Sequence, residues 1–109
     1  MHAIAAEAVN LGRAYGYRIV VEWTLQSLAI GLVAQGDARG AATILGHVDG
    51  FVDEVGAERE PTEVTVRRSL LKRIDEKLDP AIRDAAMDRG RELSMDEACA
   101  LALQTPSIR

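Results

Sequence analysis

Apolar positions recur with helical period through residues 18–55, in two runs broken at Gly36-Asp37. In the first run Val21, Leu25, Leu28 and Leu32 fall at i, i+4, i+7 and i+11, which is one face of a helix. A second row, Ile19, Trp23, Ile30 and Val33, lies on a neighbouring side, and the polar residues (Glu22, Thr24, Gln26, Ser27) are few and scattered. A helix apolar on more than one side is normally sandwiched between two others, which is the expectation for residues 18–35. Gly36 suits the left-handed position that ends a helix, and Asp37 suits the cap of the next. The second helix, 38–55, gathers Ala41, Ile44, Leu45, Val48, Phe51, Val52 and Val55 on a broad stripe. Arg39, Thr43, His47, Asp49, Asp53 and Glu54 occupy its other side, which reads as solvated. Each of Gly40, Gly46 and Gly50 costs about 1 kcal/mol of helix propensity relative to alanine. Gly46, beside Leu45 on the stripe's edge, is the expected point of close backbone approach.

Four further helices follow from the same pattern. Residues 2–15 form an amphipathic helix with Ile4, Ala5, Ala8, Leu11 and Tyr15 inward, expected to cover the open side of 18–35. After a connector at 56–61, Pro61 opens a helix whose stripe is Val66, Leu70, Leu71, Ile74 and Leu78. Asp79-Pro80 restarts the chain as an N-cap followed by proline at the first helical position. The short helix 81–89 is expected to bury Ile82, Ala85 and Ala86 and to stop at Gly90. Ser94 and Glu97 have the spacing of a capping box, in which each side chain satisfies the other's backbone amide. The last helix, 95–103, ends before Pro106. The expectation is one all-α domain over 1–109: residues 1–15, a hairpin at 18–57, and C-terminal helices over 61–109.

Composition agrees. Hydrophobic residues are 48% and charged residues 28%, a globular balance, while aromatics are only 4%. A net charge of −4 argues against a nucleic-acid footprint, which needs concentrated positive charge. The single Cys99 excludes an internal disulfide framework and fits a reducing, cytoplasmic setting. No basic leader opens the chain, and the apolar span at 19–34 contains Glu22 and Gln26 and is short for a bilayer, so no membrane role is expected.

Leu25, Leu28, Ala29 and Leu32, then Gly36, Ala41, Leu45 and Val48, resemble the large and small positions of a tetratricopeptide repeat. Ala29 stands where that family prefers Gly, and Leu32 where it prefers Tyr. The run Leu32-Val33-Ala34-Gln35-Gly36-Asp37, with Ala41-Ala42 and Ile44-Leu45-Gly46, is similar to the C-terminal region of bacterial, especially actinobacterial, ATPase-type and LuxR-type transcriptional regulators. So is the ending Gly90-Arg91-Glu92-Leu93-Ser94-Met95-Asp96-Glu97-Ala98 followed by Leu101-Ala102-Leu103. The family often has aromatics near Arg83 and Met87, which are absent here. The resemblance implies antiparallel helical hairpins in a tetratricopeptide-like right-handed stack closed by C-terminal cap helices. It also implies regulatory contact with protein, either another chain or other domains of a parent chain, rather than catalysis.

Candidate chemistry is thin. Gly31 to Gly36 has phosphate-loop spacing, but Asp37-Ala38 replaces the Lys-Ser/Thr that would hold phosphate. His2 and His47 share no helix, and His47 has no carboxylate or second ligand at i+3 or i+4. His47 reads as a solvated residue, and Cys99 as a small buried hydrophobe. The pairs Asp49 with Asp53 and Asp75 with Glu76 read as exposed. Residues 95–103 offer acids and alkyl groups rather than the donors of a DNA-recognition helix. No enzymatic activity, metal, cofactor or direct nucleic-acid contact is therefore expected. Arg67, Arg68, Lys72, Arg73 and Lys77 make one helix basic on one side, either a solvated face or a docking surface for an acidic partner. The expected interaction surface combines Ile4, Ala8, Leu11 and Tyr15 with Arg67, Arg68, Lys72 and Arg73. Two alternatives are a free-standing homodimer formed through residues 2–15, and a small-ligand pocket around Trp23, Phe51 and Tyr17.

Overall fold

The computed structural model describes residues 18–56, 59 and 61–103. These form five helices: α1 (Arg18–Ala34), α2 (Ala38–Val55), α3 (Pro61–Asp75), α4 (Pro80–Arg91) and α5 (Met95–Ala102). No strand occurs among the described residues. The expected helix at 2–15, with Ile4, Ala8, Leu11 and Tyr15, lies outside them, as does Tyr17.

The chain turns where its capping chemistry directs. Gly36 takes φ +93°, and the Asp37 amide donates back to the Leu32 carbonyl at 2.8 Å, closing α1 in the left-handed manner that glycine tolerates. Asp37 then accepts from the Gly40 amide at 2.8 Å and starts α2. Because three residues separate two helices that pack together, α1 and α2 run antiparallel. Asp79 precedes Pro80 in extended conformation, but its side chain makes no capping bond. The restart comes from the proline's fixed φ rather than from the carboxylate. At α5 both halves of the capping box form: the Glu97 amide donates to Ser94 Oγ at 3.1 Å and the Ser94 amide to Glu97 Oε1 at 2.8 Å. These bonds hold the Glu97 carboxyl below its ordinary value, chiefly through the Ser94 backbone amide.

Among the described residues the helices gather around α2. Every residue from Gly40 to Asp49 is buried, and α2 touches all four other helices, most closely α4 and α1. By contrast α1 buries a face of Val21, Glu22, Leu25, Gln26, Leu28, Ala29, Leu32 and Val33. Its Ile19 and Val20 are each 47% exposed, and Trp23 and Ile30 pack at the core's edge. The core joins the Leu25 and Leu32 side of α1 to Ile44, Leu45 and Val48 of α2. Leu70 and Ile74 of α3 and Ala98, Cys99 and Ala102 of α5 complete it. Cys99 is fully buried, as the alanine-rich helix around it suggests.

Two glycines bring α4 against α2. A Cβ at Gly46 would lie 2.6 Å from Met87 Cα, and one at Gly90 would lie 2.8 Å from the Thr43 carbonyl carbon and 2.9 Å from the His47 amide nitrogen. All of these are backbone atoms that cannot swing aside, so the missing side chains set the spacing of the two helices. Gly46 is the approach point its place on the stripe predicts. Gly90 does not stop the short helix as expected: α4 runs on to Arg91, and Gly90 is buried within it. Ile82 and Ala85, expected inward, are exposed; of that trio only Ala86 is buried.

Candidate functional site

Three polar residues of α2, Thr43, His47 and Asp49, are buried and find partners inside, while Arg39, Asp53 and Glu54 stay exposed. Thr43 donates its hydroxyl to the Arg39 carbonyl at 2.9 Å. His47, expected to be solvated, is 3% exposed and reaches the fully buried Glu22 of α1. Its Nε2 lies 2.9 Å from Glu22 Oε2, and its Nδ1 lies 3.1 Å from the Leu93 carbonyl oxygen. A carbonyl only accepts, so Nδ1 carries hydrogen and donates to Leu93. The two contacts tie α1, α2 and the α4–α5 turn together. Glu22 Oε1, also buried, finds no hydrogen-bond partner among the described residues. Arg18, one turn earlier, approaches Oε2 at 3.5 Å and lies over the Phe51 ring at 4.7 Å.

Two residues beyond His47, Asp49 is also buried rather than exposed. It receives a two-pronged contact from Arg67 of α3, Nε to Oδ1 at 3.0 Å and Nη2 to Oδ2 at 2.8 Å. Arg59 donates to the same Oδ1. Arg59 also donates to Gln26 Oε1 at 3.0 Å, and Gln26 donates to Glu63 Oε2 at 3.0 Å. The Arg59 guanidinium sits 5.9 Å from the Trp23 ring centre. Fork-to-carboxylate contacts of this kind are among the stronger hydrogen bonds in proteins. The bond to Asp49 raises the Arg67 pKa above its ordinary value, against the opposing effect of burial. Arg67 is thus not part of a freely solvated basic face. Arg68, Lys72 and Arg73 do stay exposed, and among the described residues Arg68 makes no ion pair.

This network forms one wall of a groove of about 420 Å³ between α2 and α3. Val52, Val64 and Leu71 supply its apolar surface, and Arg59, Arg67, Arg68, Arg91, Asp49 and Asp53 its charged lining. Val64, Arg67, Arg68 and Leu71 stand at i, i+3, i+4 and i+7, so they share one face of α3. Arg91 crosses from α4 to pair with Asp53 at 3.0 Å. A second groove of about 860 Å³ runs between the start of α2, α4 and α5. It is floored by small and aliphatic residues, including Ile82, Ala85, Leu93 and Leu101, and edged by Asp37, Arg39, Arg89 and Glu97. Trp23 and Phe51 line neither groove; each lies beneath an arginine instead.

Of the expected surface residues, Arg67 and Arg68 come together at the first groove, and Lys72 and Arg73 lie beyond its lining. Residue-by-residue reading missed Glu22, Gln26, Arg59 and Asp49. A signal for the first two exists: Glu22, Gln26, Ala29 and Val33 form their own i, i+4, i+7, i+11 row. Among the described residues no three His, Cys, Asp or Glu side chains gather as a metal site, and no helix is long and apolar enough to cross a membrane.

No family model, curated protein or solved structure matches this chain.

Proposed function

We propose that this chain is a non-enzymatic protein-interaction module, and that the groove between α2 and α3 is where it meets its partner. The observation that carries the reading is a reversal of sign. A chain of net charge −4 places four arginines and two aspartates around one apolar-floored groove. Concentrated charge opposite to that of the whole molecule steers a complementary surface and selects against others. The antiparallel α1–α2 hairpin supports the further reading of a tetratricopeptide-like element at the tail of a transcriptional regulator. The close α4–α2 crossing at Gly46 and Gly90 is an addition to that pattern.

The groove's chemistry favours protein over nucleic acid. Its uncharged surface is Val52, Val64 and Leu71, with no aromatic ring on which a base would stack. The test is site-specific photo-crosslinking in the cells from which the chain comes. A photoreactive residue at Val64 is expected to yield a protein adduct that the same residue at Ser27, on the exposed side of α1, does not. The adduct partner, identified by mass spectrometry and purified, is then expected to bind the wild-type chain. Absence of protein adducts at Val64, or equal adducts at both positions, would sink the reading.

A further inference from the structure

We infer that the partner presents to this groove an acidic segment carrying aliphatic side chains, its carboxylates taken by Arg68 and its neighbours and its alkyl groups by Val52, Val64 and Leu71. This rests on the interaction reading above and specifies the occupant.

Charge in the groove is unevenly spent. The single Asp49 carboxylate serves both Arg59 and Arg67, so that trio retains a net positive charge. Asp53 offsets Arg91 through a contact open to solvent. Arg68 has no carboxylate among the described residues, and it stands on the same α3 face as Val64 and Leu71. Fork-shaped guanidinium groups match carboxylates with two parallel hydrogen bonds, which makes them selective for acids over neutral amides. Val64 is 38% exposed and opens directly into the groove, so an alkyl side chain seated there would cover a surface that now meets water.

Residues 1–17 contain a single acid, Glu7, and residues 104–109 contain no acidic side chain, so neither stretch matches the charge of the groove.

The experiment is fluorescence anisotropy on the full chain with a labelled octapeptide, Glu-Glu-Leu-Leu-Glu-Glu-Leu-Leu. Two control peptides replace its glutamates by glutamine or its leucines by serine, and a single-stranded oligonucleotide serves as a fourth probe. The acidic aliphatic peptide is expected to bind, and both control peptides to bind at least about tenfold more weakly, a difference of about 1.4 kcal/mol. Arg68→Glu is expected to weaken binding by a similar factor. Arg68 makes no ion pair among the described residues, so this variant keeps the fold, which circular dichroism checks. Val64→Asp is expected to act likewise, and Arg39→Glu, at the other groove, to leave binding unchanged. Rising salt is expected to weaken the acidic peptide's binding. Equal binding of the glutamine peptide, unchanged binding by Arg68→Glu, or tighter binding of the oligonucleotide would each overturn the inference. So would no binding by any probe. If cross-links at Val64 persist in that case, the interaction reading survives and only this choice of occupant fails.

Discussion

Helix propensity and packing make opposite forecasts for the glycines of this protein, and the structure decides between them. Replacing glycine by alanine inside a helix stabilises by about 0.8–1 kcal/mol when nothing stands in the way. Gly31 in α1 is such a site, with nothing among the described residues within 4 Å of the new methyl group. Gly31→Ala is therefore expected to raise stability by up to about 1 kcal/mol, or roughly 4–8 °C in a domain of this size. At Gly46 the same methyl would meet Met87 Cα at 2.6 Å, and at Gly90 it would meet Thr43 C at 2.8 Å. Carbon atoms pack comfortably at about 3.5–4.0 Å, so α4 must withdraw by about an ångström from the helix it grips most closely. Overpacking of this kind costs about 1–3 kcal/mol, and the upper end applies where backbone rather than a side-chain tip must move. After the propensity gain, Gly46→Ala and Gly90→Ala should each lose about 1–2 kcal/mol, opposite in sign to Gly31→Ala. Urea titration followed by helical circular dichroism measures all three on one scale. If Gly46→Ala or Gly90→Ala proved as stable as Gly31→Ala, the α2–α4 crossing described above would be wrong.

Three other expectations follow from the side-chain hydrogen bonds. His47→Leu strands the Glu22 carboxylate and should cost about 3–5 kcal/mol, with the double variant Glu22→Met/His47→Leu recovering part of it; strict additivity in that cycle would dissolve the pair. Asp49→Asn weakens the acceptor shared by Arg59 and Arg67 and should cost about 1–3 kcal/mol. A loss within error of zero in thermal denaturation would refute the network's contribution. Glu97 is lowered in the folded state by its bonds to Ser94, so its stabilising effect is complete above the ordinary value of 4.5 and disappears as pH falls through the lowered one. The gap in melting temperature between wild type and Glu97→Ala should accordingly close on acidification, and a gap that widened would contradict the capping box.

The helices were legible because apolar spacing and end signals agreed. Gly36-Asp37, Asp79-Pro80 and Ser94 through Glu97 mark the boundaries that the structure uses, and the stripes of Leu25, Leu45 and Ile74 all enter the core. The depth to which α2 is buried was not legible: its glycines and alanines let neighbours come near, and His47 and Asp49 find partners inside. Those partners are remote in sequence: His47 answers Glu22, and Asp49 answers Arg59 and Arg67. No local pattern announces such a pairing, so a histidine and an aspartate on the polar side of an amphipathic helix read as wet. Arg67 and Arg68, adjacent in the chain, likewise differ in a way only the fold defines, one engaged by Asp49 and the other open at the groove.

How α3 is attached has a consequence for motion. It contributes only Leu70 and Ile74 as fully buried side chains, with Leu71 packed at the core's edge and Arg67 bonded to Asp49. Its amides should exchange with deuterium sooner than those of α2, and sooner still in concentrated salt. A ligand seated along Val64 and Arg68 would then announce itself at a distance, as slower exchange throughout α3.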